Sequence, residues 1–223
     1  MKFRSRFFIL LTSLFVMLSS CMKEMDTVPY TYRLLCVTSM YGDYYMFTSD
    51  SGDRFITQTL PSQYEFEEDK RVLIEFSSYE ESDEDVLDYE YFVVLSSVTD
   101  ITTKDIIFIN EENKDTLGYD GVQINNLYAV GNYLNVDFTF WASGSKSHYF
   151  NTSYDYDLQT SNDTIVLTFH HKDNDDIWRY SYSGFLSFDL RSLQEDQLER
   201  PYVLTLLGTN TQGSEFKASI DVE

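Results

Sequence analysis

Leu134-Asn135-Val136-Asp137-Phe138-Thr139-Phe140-Trp141 decides the fold class. Leu134, Val136, Phe138 and Phe140 alternate with Asn135, Asp137, Thr139 and Trp141. A period of two is the signature of a strand with one face on a core. The same period recurs on both sides. Val72, Ile74 and Phe76 alternate with Arg71, Glu75 and Ser77, and Ile165, Leu167 and Phe169 with Thr164, Val166 and Thr168. With 18 Tyr and 17 Phe in 223 residues, the chain is built from residues that suit a pleated, half-buried surface. The one convincing helical turn is Ser192 to Glu199, stopped by Pro201. An all-β protein is expected.

Turn signals divide the strands. Ser49-Asp50-Ser51-Gly52-Asp53 reads as a hairpin loop, and Val130-Gly131-Asn132 breaks one strand from the next. Five strand candidates (32–38, 44–48, 54–59, 70–78 and 88–98) suit a small five-stranded barrel of the OB type. Glu111 to Gly118 lacks an apolar pattern and follows Ile106-Ile107-Phe108-Ile109. About seven further strands then suit an immunoglobulin-like β-sandwich. The expected organisation is a signal peptide at 1–20, a tether at 21–30, an OB-like domain at 31–102 and a β-sandwich domain at 103–223.

The amino terminus differs in kind. Lys2, Arg4 and Arg6 precede a nearly unbroken apolar run from Phe7 to Leu18. That run is too short to span a bilayer, which takes about 20 apolar residues, and has the length of a signal-peptide core. Leu18-Ser19-Ser20-Cys21 then resembles the bacterial lipobox, in which small residues admit a peptidase and the cysteine thiol receives a diacylglycerol. Lys23, Glu24 and Asp26 resemble the lysine-plus-acidic export signal of surface-exposed lipoproteins. The expected location is the outer membrane, facing outward.

Sixteen basic against 37 acidic residues give a net charge of −21, and removal of the leader's three cations leaves the rest more negative still. Such a surface lacks the Lys and Arg that neutralise phosphates, so nucleic acid is excluded as a partner. Anionic headgroups repel it too, which leaves lipid on Cys21 as the membrane anchor. Cys36 is then alone, and its apolar setting (Leu34-Leu35-Cys36-Val37) points to a buried, inert thiol.

No G-x-S-x-G, H-E-x-x-H, C-x-x-C or phosphate-cradling glycine loop is present. Ser143-Gly144-Ser145-Lys146 spells S-x-x-K, but in a turn and not on the helix that penicillin-recognising enzymes use. His170 and His171 are strand neighbours on opposite faces and cannot chelate one ion together, while His148 can approach one of them across strands. Asp173-Asn174-Asp175-Asp176 begins like an EF-hand loop but has Ile177 where the glycine turn is required. Glu80 to Asp85 reads as a solvated acidic loop. No catalytic residue, metal site or cofactor is therefore assigned. Trp141, on the polar face of its strand, and Trp178, after the acidic loop, are the candidate ligand-binding residues, because an exposed aromatic can stack on a sugar or a partner protein.

The second half also resembles a known family. Asn132 to Phe138, then His148, then Asp163 to His171 and Gly184 to Leu190 occur in the order found in the C-terminal domain of NigD-like lipoproteins. Thr103-Lys104-Asp105-Ile106-Ile107 with Leu117-Gly118 is similar to that family's interdomain segment. The Gly52-Asp53 turn and Arg71 to Phe76 resemble its N-terminal OB domain more loosely. The resemblance implies a lipidated OB barrel followed by a β-sandwich, and no established catalytic residues. One departure is Phe169-His170-His171, where the family often has an Arg before a single His. The combined expectation is a non-enzymatic cell-envelope lipoprotein that binds an unknown protein or glycan. The alternatives are glycan capture through exposed aromatics and a hydrolase.

Overall fold

A computed structural model describes residues 30–78, 90–161, 163–194 and 201–222. Cys21, Lys23, Glu24, Asp26 and the Glu80–Asp88 loop lie outside the described residues, as does most of the helical turn expected after Ser192. The regular structure among the described residues is nearly all strand.

The first half is one rolled sheet. It comprises β1 (Tyr30–Tyr41), β2 (Tyr44–Ser49), β3 (Arg54–Thr57), β4 (Arg71–Ser78), β5 (Glu90–Phe92) and β6 (Leu95–Asp100), in the order β5-β3-β2-β1-β4-β6. β5 and β6 stand at opposite ends of that order, yet only Val93 and Val94 separate them in the chain. The Val93 amide donates to the Ile56 carbonyl on β3, while Leu95 already pairs with Phe76 on β4. The two ends therefore meet, and the sheet closes as an OB-type barrel. The fifth strand expected at 88–98 is thus two short strands, because one neighbour is parallel and the other antiparallel. Cys36, Phe47, Phe55, Val72, Ile74, Phe76 and Leu95 fill the interior. Each fully buried large apolar side chain contributes about 1.5–3 kcal/mol.

β7 (Thr103–Asp105) and β8 (Ile107–Phe108) pair with different sheets, and the chain crosses between them at buried Ile106. One sheet runs β7-β13-β10-β9, with β9 (Gln123–Val130), β10 (Tyr133–Ala142) and β13 (Tyr180–Asp189). The other runs β15-β14-β12-β11-β8, with β11 (Tyr149–Tyr154), β12 (Thr164–Lys172), β14 (Tyr202–Thr209) and β15 (Glu215–Val222). A four-residue helix, α1 (Arg191–Gln194), follows β13. Leu134, Val136, Phe138, Ile165, Leu167, Phe169, Phe188, Leu204 and Leu206 form the sandwich core, as their alternation requires. Gly184 sits opposite Phe138 and leaves room for its ring, since a methyl there would approach Phe138 Cζ to 2.4 Å.

Two polar positions are not solvent-facing. Arg71 and Asn135, placed by alternation opposite the two cores, are 1% and 0% exposed. The barrel and the four-stranded sheet pack against each other there and seal both. Arg71 donates to Asp50 at 2.5 and 2.9 Å and to Asn135 Oδ1 at 3.1 Å. Tyr128 donates to Asp50, and Tyr133 to the Asp69 carbonyl. The barrel therefore meets the four-stranded sheet around Tyr128, Tyr133 and Asn135, and Trp141 stands further along β10.

Candidate functional site

Trp141 and Trp178 meet. Their rings stack with centroids 6.0 Å apart and planes 22° apart. Trp141 stands near the end of β10, on the face away from the core, and Trp178 folds over it from the loop that joins β12 to β13. Around them this end of the sandwich exposes Ile177 (73%), Trp178 (45%), Tyr180 (51%) and Tyr182 (42%). Arg179 lies over the Tyr180 ring, 5.0 Å from its centroid. Single exposed apolar groups are ordinary, but here four fall within one short run of chain from Ile177 to Tyr182.

The loop holding them is organised from beneath by Asp176, which is 6% exposed. Its Oδ1 accepts from Ser143 Oγ (2.5 Å), Ser145 Oγ (2.8 Å) and the Ile177 amide (2.9 Å). Its Oδ2 accepts from the Ser143 amide (2.9 Å) and faces His148 Nε2 at 3.3 Å. The Ser143 hydroxyl, aided by Ser145, His148 and the Ser143 amide, holds this carboxyl well below the usual carboxylate range against the opposing effect of burial. Asn174 and Asp175, both at positive φ, make the reversal, a conformation that Asn and Asp tolerate better than most residues. Lys146 Nζ donates to the Asn174 carbonyl. Ser143 and Lys146 therefore do not meet as an S-x-x-K pair. Each ties the β10–β11 loop to the β12–β13 loop. Asp176 turns inward to serine hydroxyls, so the Asp173–Asp176 run does not converge on a cation. Among the described residues no group of three or more His, Cys, Asp or Glu side chains is placed to hold a metal.

His148 does approach one strand histidine. Its Nδ1 lies 2.8 Å from His171 Nε2, between Phe140 and Phe150. His171 Nδ1 faces the Gly121 carbonyl at 3.2 Å. His170 points the other way, as neighbours on a strand must. Its Nδ1 donates to the Gly118 carbonyl (3.1 Å), which leaves Nε2 to accept from Ser153 Oγ (2.7 Å). Burial pushes the pKa of both His170 and His171 down. Ser153 and His170 floor a cavity of about 300 Å³ on the outer face of the five-stranded sheet, walled by Tyr119, Leu158 and Leu207. They are 2% and 1% exposed, with Tyr119 edge-on over His170, so the pair ties the 118–121 crossover to the sheet.

The sequence brought out both tryptophans and the meeting of His148 with a strand histidine. It missed Asp176 as the organiser, Arg71 as the clamp and Ser153 as the partner of His170. In each case the signal is a contact between residues distant in sequence, invisible to spacing.

No curated protein matches the sequence. Among solved structures, the chain is similar to a protein of unknown function from Bacteroides vulgatus, with TM-score 0.68 and 19% identity over 87% of this chain and 92% of that one. It is also similar to a NigD-like immunity protein from Bacteroides caccae, with TM-score 0.62 and 15% identity over 88% and 99%. At these identities the likeness is one of fold. The family model of the NigD-like C-terminal beta sandwich domain matches residues 105–221. Since that match takes in more than half of its 223 residues, the chain belongs to the NigD-like family.

Proposed function

We propose that this protein is a cell-envelope lipoprotein, tethered through lipid on Cys21 and facing outward from the outer membrane, that binds a partner without chemically altering it. Binding takes place at the end of the C-terminal sandwich formed by Ile177, Trp178 and Tyr180. The observation that carries this is the stacked Trp141–Trp178 pair, displayed on a loop whose geometry Asp176 fixes in advance. Preorganised aromatics beside an arginine are the composition of binding hot spots. The acidic body and the leader features that end in Leu18-Ser19-Ser20-Cys21 support the lipid tether.

A protein partner is favoured over a glycan by Ile177. This branched aliphatic side chain is 73% exposed at the loop tip and fills an apolar pocket better than it contacts hydroxyls. Glycan capture is the second reading, supported by the exposure of Trp178, 45% of which remains open although it stacks on Trp141. Recovery of the lipidated protein from intact cells tests both. A partner protein recovered with the native chain and lost with Trp178→Ala supports the leading reading. Retention on polysaccharide that Trp178→Ala abolishes supports the second. Equal recovery of every component with the variant overturns both. Cys21→Ser tests the tether in the same cells, and is expected to abolish lipid labelling and leave the precursor uncut.

A further inference from the structure

We propose that the aromatic end is proton-gated, the gate being one proton shared along the chain Gly121 carbonyl–His171–His148–Asp176. This deepens, and rests on, the reading of that end as the binding surface.

The Gly121 carbonyl only accepts, so His171 Nδ1 must carry a hydrogen to contact it at 3.2 Å. The Asp176 carboxylate also only accepts, so His148 Nε2 must carry one to meet it at 3.3 Å. Between the rings, His148 Nδ1 and His171 Nε2 stand 2.8 Å apart and share one further hydrogen. Three hydrogens on two imidazoles make one imidazolium, since two neutral rings hold two. Burial favours the neutral form of His171, which places the charge on His148 beside Asp176.

The surroundings leave that charge one counter-ion in contact. His148 is flanked by the uncharged rings of Phe140 and Phe150, and Lys146, two residues earlier, is turned away to the Asn174 carbonyl. Asp120 and Asp173 act on His171 from the crossover and the β12–β13 loop. His170 points to the opposite face and takes no part. When the pair loses its proton, one contact in the chain must set lone pair against lone pair. The contact between His148 and Asp176 is the one that the proton's charge assists, so it is the one weakened when that charge goes. Asp176 keeps four other donors, the Ser143 and Ser145 hydroxyls and the Ser143 and Ile177 amides, so the loss removes one of five constraints on the mount of Trp178. The surface is therefore ordered at lower pH and released as pH rises.

The chain contains two tryptophans, and both are at this site. Intrinsic fluorescence therefore reads the gate without any ligand. The full-length protein is titrated from about pH 5 to about pH 9, the window in which an imidazole changes charge. The expected result is a one-proton transition in which emission moves to longer wavelength and acrylamide quenching increases as pH rises, and which His148→Gln abolishes. Nitrogen-15 NMR of the native protein is expected to find both His148 nitrogens protonated on the low-pH side, with His171 as the Nδ1–H tautomer. Flat fluorescence, a transition that persists in His148→Gln, or two neutral rings throughout would overturn the inference. The NMR arm decides the case even where His148→Gln fails to fold. In intact cells, a photo-cross-linker at exposed position 182, which leaves Trp178 in place, is expected to give a yield that falls over the same pH range. A yield independent of pH overturns the gating alone, whereas no cross-link at any pH overturns the binding reading and leaves the proton chain to the spectroscopic arms.

Discussion

Arg71 on the barrel and Asn135 on the sandwich share a hydrogen bond of 3.1 Å with both side chains sealed from water. The same guanidinium holds Asp50 in a two-pronged pair, so a single side chain joins the hairpin loop of the barrel to the outer face of the four-stranded sheet. Such a planar fork cannot be replaced by a point charge. Arg71→Met is expected to destabilise the protein by about 3 kcal/mol, because the Asp50 carboxylate loses its counter-ion, keeping only Tyr128, and Asn135 Oδ1 is left with Ser187 alone. Urea denaturation of the variant checks this, and Arg71→Lys is expected to recover only part of the loss.

Gly118→Ala is expected to cost about 1–3 kcal/mol, as overpacked positions do. Gly118 has φ +84°, and an added methyl would lie 2.5 Å from the His171 carbonyl. The crossover would move off β12, taking from His170 the carbonyl that fixes its tautomer. Thermal unfolding measures the loss, and His170 ring NMR shows the altered tautomer.

That contact joins two motifs far apart in the chain. Leu117-Gly118 and Phe169-His170-His171 are the two sides of one junction, since His170 and His171 donate to the carbonyls of Gly118 and Gly121. Alternation in Leu134–Trp141 and Val72–Phe76 was enough to read the strands and cores, because burial on one face imposes a period of two. It failed at Arg71 and Asn135 because the opposite face is covered by the other half of the molecule, which no local period records. The fifth barrel strand was legible as one run, whereas its break at Val93-Val94 depends on pairing with two different neighbours. Asp176 was hidden for a related reason. Four acidic or amide residues in a row read as the start of a calcium loop that lacks its glycine, and only the facing serines reveal that one of them points inward.

Cys36 is expected to resist alkylation at pH 8 in the native protein and to react fully in denaturant. Burial, with Asp50 nearby, pushes its thiol pKa up to about 12. The sign follows from linkage. The unfolded thiol ionises near its ordinary value while the folded one keeps its proton, so this group's contribution is intact below about pH 8.5 and declines as pH rises towards the folded value. Iodoacetamide labelling with and without guanidinium is the check.

Asp176→Asn is expected to loosen the loop from Ser143 to His148 at neutral pH. Because the native carboxyl titrates below its unfolded value of about 3.9, its stabilising effect is present above that value and is lost as pH falls through the folded one. The stability gap between native and variant chains should therefore be widest at neutral pH and close in strong acid. Hydrogen exchange of the Ser143 and Ile177 amides, measured across that range, locates the change.

The central claim is that the end of the sandwich carrying Trp178 is where this protein meets its partner. The most direct measurement is site-specific photo-cross-linking in intact cells, with the reactive group at exposed position 182, which leaves Trp178 in place, and, as a control, at Ser161 in the loop between β11 and β12 at the opposite end. The account predicts a discrete cross-linked species from position 182 that Ile177→Ser weakens and that is absent from position 161. Equal cross-linking from both positions, or from neither, would contradict it.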